Sequence, residues 1–175
     1  NNTPASSWWS HEVLRLIFCI GSYNLRTMKV YLGNDHTGLV LKNKIKLFLE
    51  ELGYEVEDCG AFEMNEEDDY VEFCAECGSK VADDPGSLGI VIGGSGNGEA
   101  IVANKIKGIR AAVYNGGKPE IGRLAKEHNN ANVLSLGARF ISEEDAKRAV
   151  TLWLDGKFEG GRHQRRIDKI TKIEK

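Results

Sequence analysis

Cysteine is scarce in this chain: 175 residues hold four, Cys19, Cys59, Cys74 and Cys77. They are too few and too scattered for a disulfide framework at this length, which points to a reducing, cytosolic setting. Cys74 and Cys77 have a metal-like spacing, but no second Cys/His pair stands where a four-ligand zinc site needs one, so no metal is expected. Charge of one sign is missing too. The formal net charge is −3, which argues against a global basic field for nucleic acid. Long apolar runs are absent: Leu14 to Ile20 is broken by Arg15 and far too short to span a bilayer. No membrane association is expected. The first residues also lack the basic start and small-residue cleavage site of a signal peptide. Residues 1–27 therefore read as an extension outside the fold, with a weak signal or anchor as the alternative. Regular patterning begins at Met28, read as the natural start of a domain over 28–175.

Nucleotide signatures are missing as well. Gly33-Asn34-Asp35-His36-Thr37-Gly38 and Gly93-Gly94-Ser95-Gly96-Asn97-Gly98 both lack the dinucleotide spacing. A phosphate-binding P-loop would end in Gly-Lys-Ser/Thr. Here Gly98 is followed by Glu99, whose charge would repel a phosphate.

What is present is alternation. Strand-like segments at 29–33, 54–58, 88–92, 109–114 and 132–136 are separated by helical ones. Leu41, Ile45, Phe48, Leu49 and Leu52 recur close to a 3.6 period between Gly38 and the stop at Gly53. Further helices are expected around 71–81, 99–105, 119–128 and 142–154, with Ser142 as an N-cap. The acidic run 63–69 reads as a solvated loop. Repeated βα units predict an α/β fold: a Rossmann-like three-layer α/β/α sandwich around a five-stranded parallel sheet. Ligands in such folds bind beyond the carboxyl ends of the strands. Asp35 and His36, Ser95 and Glu99, and Arg139 all fall there.

The loop after the third strand is the chemical centre of the sequence. Its glycines let a ligand approach the backbone, and its N–H groups form a nest for an oxyanion. Glu99 is either a favourable acid in a first helical turn or a general base for a C–H proton beside a carbonyl. In the second case the nest would stabilise the resulting enediolate. Asp35 and His36 have capping as their alternative, His128 a favourable place at a helix C-terminus, and Arg139 an ordinary surface position. Arg162 and Arg166 share a helix face and suit a phosphate; a solvated tail or an RNA-binding patch remains open.

Several ordered motifs together resemble the ribose-5-phosphate isomerase B family, also called RpiB/LacAB, which includes galactose- and allose-6-phosphate isomerases. They are Gly33 to Gly38 with Leu41-Lys42, Gly93 to Glu99 with Ala103-Asn104-Lys105, Gly108 to Ala112, His128 to Val133, Leu136 to Arg139, and Phe158 to His163. The resemblance covers about 28–172. It implies a cofactor-free isomerase of ribose 5-phosphate and ribulose 5-phosphate. Glu99 would move the proton between C2 and C1, and Ser95 would shuttle the hydroxyl proton. The backbone of Gly94, Gly96, Asn97 and Gly98 would hold the enediolate. His128 with Asp35 would open the sugar ring, and Asn129 would contact the sugar. His36, Arg139, Arg162 and Arg166 would bind the phosphate. The resemblance also implies a homodimer, with a tetramer open, in which the C-terminal arginines enter the neighbouring subunit's site. Many members carry a cysteine base where Gly93 stands; Glu99 matches the branch with a glutamate base. The loop Tyr114 to Pro119 departs from common members, which leaves hexose 6-phosphate isomerisation, or non-catalytic sugar-phosphate binding, as alternatives.

Overall fold

The computed structural model describes residues 28–174, so the reading of 1–27 lies outside the described residues. All five strands form and run parallel, in the order β2-β1-β3-β5-β4. They are β1 (Lys29–Asn34), β2 (Glu55–Asp58), β3 (Leu88–Gly93), β4 (Ala111–Tyr114) and β5 (Val133–Gly137). The helices are α1 (Leu39–Glu51), α2 (Tyr70–Asp83), α3 (Asn97–Ala103), α4 (Glu120–Asn129), α5 (Glu143–Asp155) and α6 (Arg162–Thr171).

Side-chain alternation along the strands builds two cores. Val30, Leu32, Ile90 and Ile92 face Leu41, Ile45 and Leu49 of α1 and Ala146, Val150 and Trp153 of α5. Tyr31, Val91 and Val133 face the other way, onto Cys74, Cys77 and Val81 of α2 and Ala103 of α3. The three-layer sandwich follows from these two faces, and Cys74 and Cys77 are buried, free core residues. Among the described residues no helix is long and apolar enough to cross a membrane.

Three local expectations need correction. Helix α3 begins at Asn97, two residues early, because Gly96 takes a left-handed conformation (φ 79°) that ends the loop there. Strand β4 begins at Ala111 rather than 109. The Arg110 N–H just before it is instead taken by the Asn132 side chain at 2.7 Å. The acidic run is solvated from Glu63 to Glu67, but the Asp68 carboxylate is only 9% exposed. It is drawn in by the neighbouring His36.

Candidate active site

The loop between β3 and α3 lies at the carboxyl edge of the sheet, and its shape is set by what holds its carbonyls. The Gly93 and Gly94 carbonyls accept from the N–H groups of Ala138 (2.8 Å) and Arg139 (3.1 Å). Asn115 Nδ2 donates to the Ser95 carbonyl at 3.2 Å, and the buried Ser135 hydroxyl to the Gly96 carbonyl at 2.6 Å. Four consecutive carbonyls are thus tied toward β5 and its neighbours. In a planar trans peptide the following N–H points the opposite way. The N–H groups of Gly94 and Ser95 are therefore turned away from the protein support, a preformed concavity for negative charge, while that of Gly96 serves the Glu99 carboxylate. The Asn97 N–H is capped by the Ser95 hydroxyl at 3.2 Å.

Glu99 stands against this loop from the first turn of α3, only 4% exposed. Gly93 makes its seat: a Cβ there would overlap Oε1 and Cδ of Glu99 and lie 2.9 Å from its Cγ. A residue with any side chain at position 93 and a glutamate seated from position 99 compete for one volume. Burial pushes the Glu99 carboxyl above the usual carboxylate range, and the charge of Asp35 adds to the shift. The backbone N–H groups of Glu99 and Gly96 partly oppose it. Oε2 is buried and meets no hydrogen-bond partner among the described residues. A buried, poorly stabilised carboxylate with one unengaged oxygen is a strong base for its type.

The 3-10 turn His36–Gly38 after β1 supplies the neighbouring wall. Asp35 is buried and caps it, accepting from the N–H groups of Thr37 (3.0 Å) and Gly38 (3.1 Å) and from the Thr37 hydroxyl (2.5 Å). Capping is thus what the structure assigns to Asp35, together with its field on Glu99. His36 Nδ1 lies 2.6 Å from Asp68 Oδ1, which also accepts the His36 N–H at 3.1 Å. That hydrogen bond raises the imidazole above its ordinary pKa, with Asp35 and Glu66 adding to it. A histidine whose charged form is favoured in this way suits a phosphate. Arg139 is exposed beside the loop, close enough that a Cβ on Gly94 would sit 3.4 Å from its guanidinium carbon. The ring of Tyr70, on α2, packs over Gly98.

The remaining candidates lie elsewhere. In a parallel sheet the helices run back from the carboxyl edge to the amino edge. His128 and Asn129 end α4 just before β5 begins, which puts them at the amino edge. The His128 ring stacks on that of the buried His163, with centroids 4.4 Å apart and planes within 6°. Arg162 Nε donates to His163 Nε2 at 3.2 Å, and Arg162 and Arg166 are exposed on α6. Glu159 Oε2 lies 3.9 Å from His128 Nε2 and 3.5 Å from His163 Nε2. Burial lowers the His163 pKa, and His128 and Arg162 lower it further. Strand β3 spans six residues, about 20 Å. Within one chain, therefore, His128 does not meet Asp35, and Arg162 and Arg166 do not meet His36 and Arg139.

Residues 30–170 match the ribose/galactose isomerase family. The chain belongs to this family. Its relatives include the Ribose-5-phosphate isomerase B of Mycolicibacterium paratuberculosis, 44% identical over 85% of this chain and 92% of that one. That of Escherichia coli is 42% identical over 83% and 96%. The solved Ribose-5-phosphate Isomerase B of Mycoplasma genitalium, with bound ribulose-5-phosphate, superposes with a TM-score of 0.81 at 39% identity, covering 85% of this chain and 97% of its own.

Around the loop, sequence reasoning overlooked Asp68 and Ser135, and at the amino edge the His128–His163 stack. Asp68 had a faint signal as one of two adjacent aspartates ending the acidic run. Ser135 had the signal of a lone hydroxyl in an otherwise apolar strand.

Proposed function

We propose that this protein is an aldose–ketose isomerase that interconverts ribose 5-phosphate and ribulose 5-phosphate through a cis-enediolate, with Glu99 as general base. The observation that carries the reading is the buried Glu99 carboxylate, seated on Gly93 with one oxygen unengaged, beside a loop whose N–H groups face outward. Glu99 takes the proton from C2 of the open-chain aldose and returns it to C1. The negative charge that develops on O1 and O2 falls to the loop's N–H groups, and Ser95 relays the hydroxyl proton between the two oxygens. His36 and Arg139 hold the phosphate at the far end of the sugar. No net oxidation occurs, so the reaction calls for no cofactor. The names of the relatives, and the ribulose-5-phosphate in one of them, support a pentose phosphate as the substrate. The buried, free Cys59, Cys74 and Cys77 support a reducing, cytosolic setting.

The site is completed by a second copy of the chain. His128, Asn129, Arg162 and Arg166 sit on the wrong edge of their own sheet to join Glu99. In a homodimer the same four groups enter the partner's site, where His128 assists ring opening, Asn129 contacts the sugar and the arginines close over the phosphate. Val40, Phe62, Met64, Val71 and Ile101 are exposed apolar side chains on the segments that flank the carboxyl edge, as a covered surface requires. The test is turnover of ribose 5-phosphate, allose 6-phosphate and galactose 6-phosphate by the wild type and Glu99→Gln. The pentose should be preferred, and the variant should lose about 10²–10⁴-fold in kcat while still binding the sugar phosphate. Preference for a hexose would reassign the substrate, and full turnover by Glu99→Gln would remove the base.

A further inference from the structure

A second cationic pocket lies at the amino edge of the sheet, at the opposite end of the strands from the chain's own Glu99. It encloses about 310 Å³ between the turn after α2, the start of β3, the residues preceding β4 and the end of α4. Ser87, Arg110, Lys126, Asn130 and Asn132 are its polar lining, and no aspartate or glutamate lines it. Pro85 and Gly86 also line it.

The two cations are unusually placed. Arg110 is fixed from behind: Nε donates to the Asn130 carbonyl at 3.0 Å and Nη1 to the Gly108 carbonyl at 3.1 Å. No described residue takes the hydrogens of Nη2. Lys126 Nζ lies 5.8 Å above the Trp153 ring and meets only the Ala131 carbonyl, at 3.5 Å. Neither cation has a carboxylate within 4 Å among the described residues; Glu174, the acid that acts on Arg110, accepts the Gly108 N–H on Oε2 at 3.2 Å. Burial disfavours the charge on both groups, and Arg110 further disfavours that on Lys126. Half-buried charges are ordinarily paired. Here two like charges share one concavity, and the Asn132 side chain is already committed to the backbone of Arg110 and Gly108.

We infer that this pocket is an anion site, separate from the catalytic loop, that takes a phosphate group carried by a small metabolite. Arg110 Nη2 and Lys126 Nζ supply the charge-assisted hydrogen bonds, and the volume beyond them accommodates a small organic body. Lys126, in the last turn of α4, and Asn130, its C-cap, lie on either side of His128, so an occupant orders the turn that carries His128. The inference does not depend on the isomerase reading.

The test is titration of inorganic phosphate, followed by calorimetry, into full-length protein carrying His36→Asn/Arg139→Ala/Arg162→Ala/Arg166→Ala, which removes the proposed substrate phosphate contacts. Adding Lys126→Met, which keeps the aliphatic stem over Trp153, should weaken the remaining phosphate binding by about tenfold. Lys126→Arg in the same background should retain it. In the otherwise wild-type enzyme, Lys126→Met should leave the KM for sugar phosphate unchanged. Phosphate binding indifferent to Lys126→Met would overturn the inference. So would equal loss in Lys126→Arg together with a lowered Tm, because the lysine would then serve only packing.

Discussion

Replacing Gly93 by alanine adds one methyl group where the proposed base, Glu99, sits. The new Cβ would overlap Oε1 and Cδ of Glu99 and approach Cγ to 2.9 Å, against an optimal carbon–carbon separation of about 3.5–4.0 Å. Two responses compete. If Glu99 stays, the loop and α3 must shift, at an overpacking cost of about 1–3 kcal/mol. If Glu99 swings out to water, that cost is avoided, and the carboxylate also escapes the burial that disfavours its charge. The second route is the easier one, so Gly93→Ala should fold with little loss of stability but lose turnover by about 10²–10⁴-fold, the worth of a general base. A direct assay of ribulose 5-phosphate formation, beside a denaturation curve, separates the two effects. The decisive comparison is the cycle with Glu99→Gln. If the methyl group acts by evicting the base, the double variant should be no slower than the slower single variant. Retention of kcat within about tenfold, or losses that multiply, would show that Glu99 in this seat is not the base.

Four further outcomes follow from the same geometry. The Glu99 carboxyl is raised by burial, so kcat should climb with pH through an inflection above the ordinary carboxylate value of about 4.3. Because its folded pKa exceeds the unfolded one, this group's contribution to stability is lost as pH rises through the folded value, so Glu99→Gln should be more stable than the wild type at neutral pH and show no such advantage in acid; equal stability at both pH values would contradict the burial argument. Asp68→Asn replaces the carboxylate that raises the His36 pKa with a neutral group, so KM should rise with little change in kcat, most clearly above pH of about 6.5 and least in acid, where the imidazole is charged in either protein. Finally, inactive Glu99→Gln mixed with inactive Arg162→Ala/Arg166→Ala should regain activity once subunits exchange; exchange verified by mass without recovery would put all three residues in one subunit's site.

Chain order was enough for everything that depends on neighbours in sequence. Periodic apolar residues in α1, the short apolar run of β3, Asp35 ahead of its turn and the glycines before α3 act over a few residues, so the parallel α/β sandwich and the glycine loop that leads into α3 were legible from the amino acids. Which residues meet across the fold was not, because contact depends on how distant segments close on one another. Asp68 lies 32 residues from His36, in a run whose other acids face water, and only the packing of α2 beside β1 brings the two together. Ser135 is 39 residues from the Gly96 carbonyl that it holds. Glu99 became a candidate from its place in the loop, but its burial arises from the empty volume at Gly93, and the missing side chain matters only once α3 folds back over it. His128 likewise read as a partner of Asp35 beside Glu99, whereas the C-terminal arginines were expected from a neighbouring subunit. The direction of α4 against a parallel sheet separates His128 from Asp35 by the length of a strand, because a helix returning from the carboxyl edge must end at the amino edge.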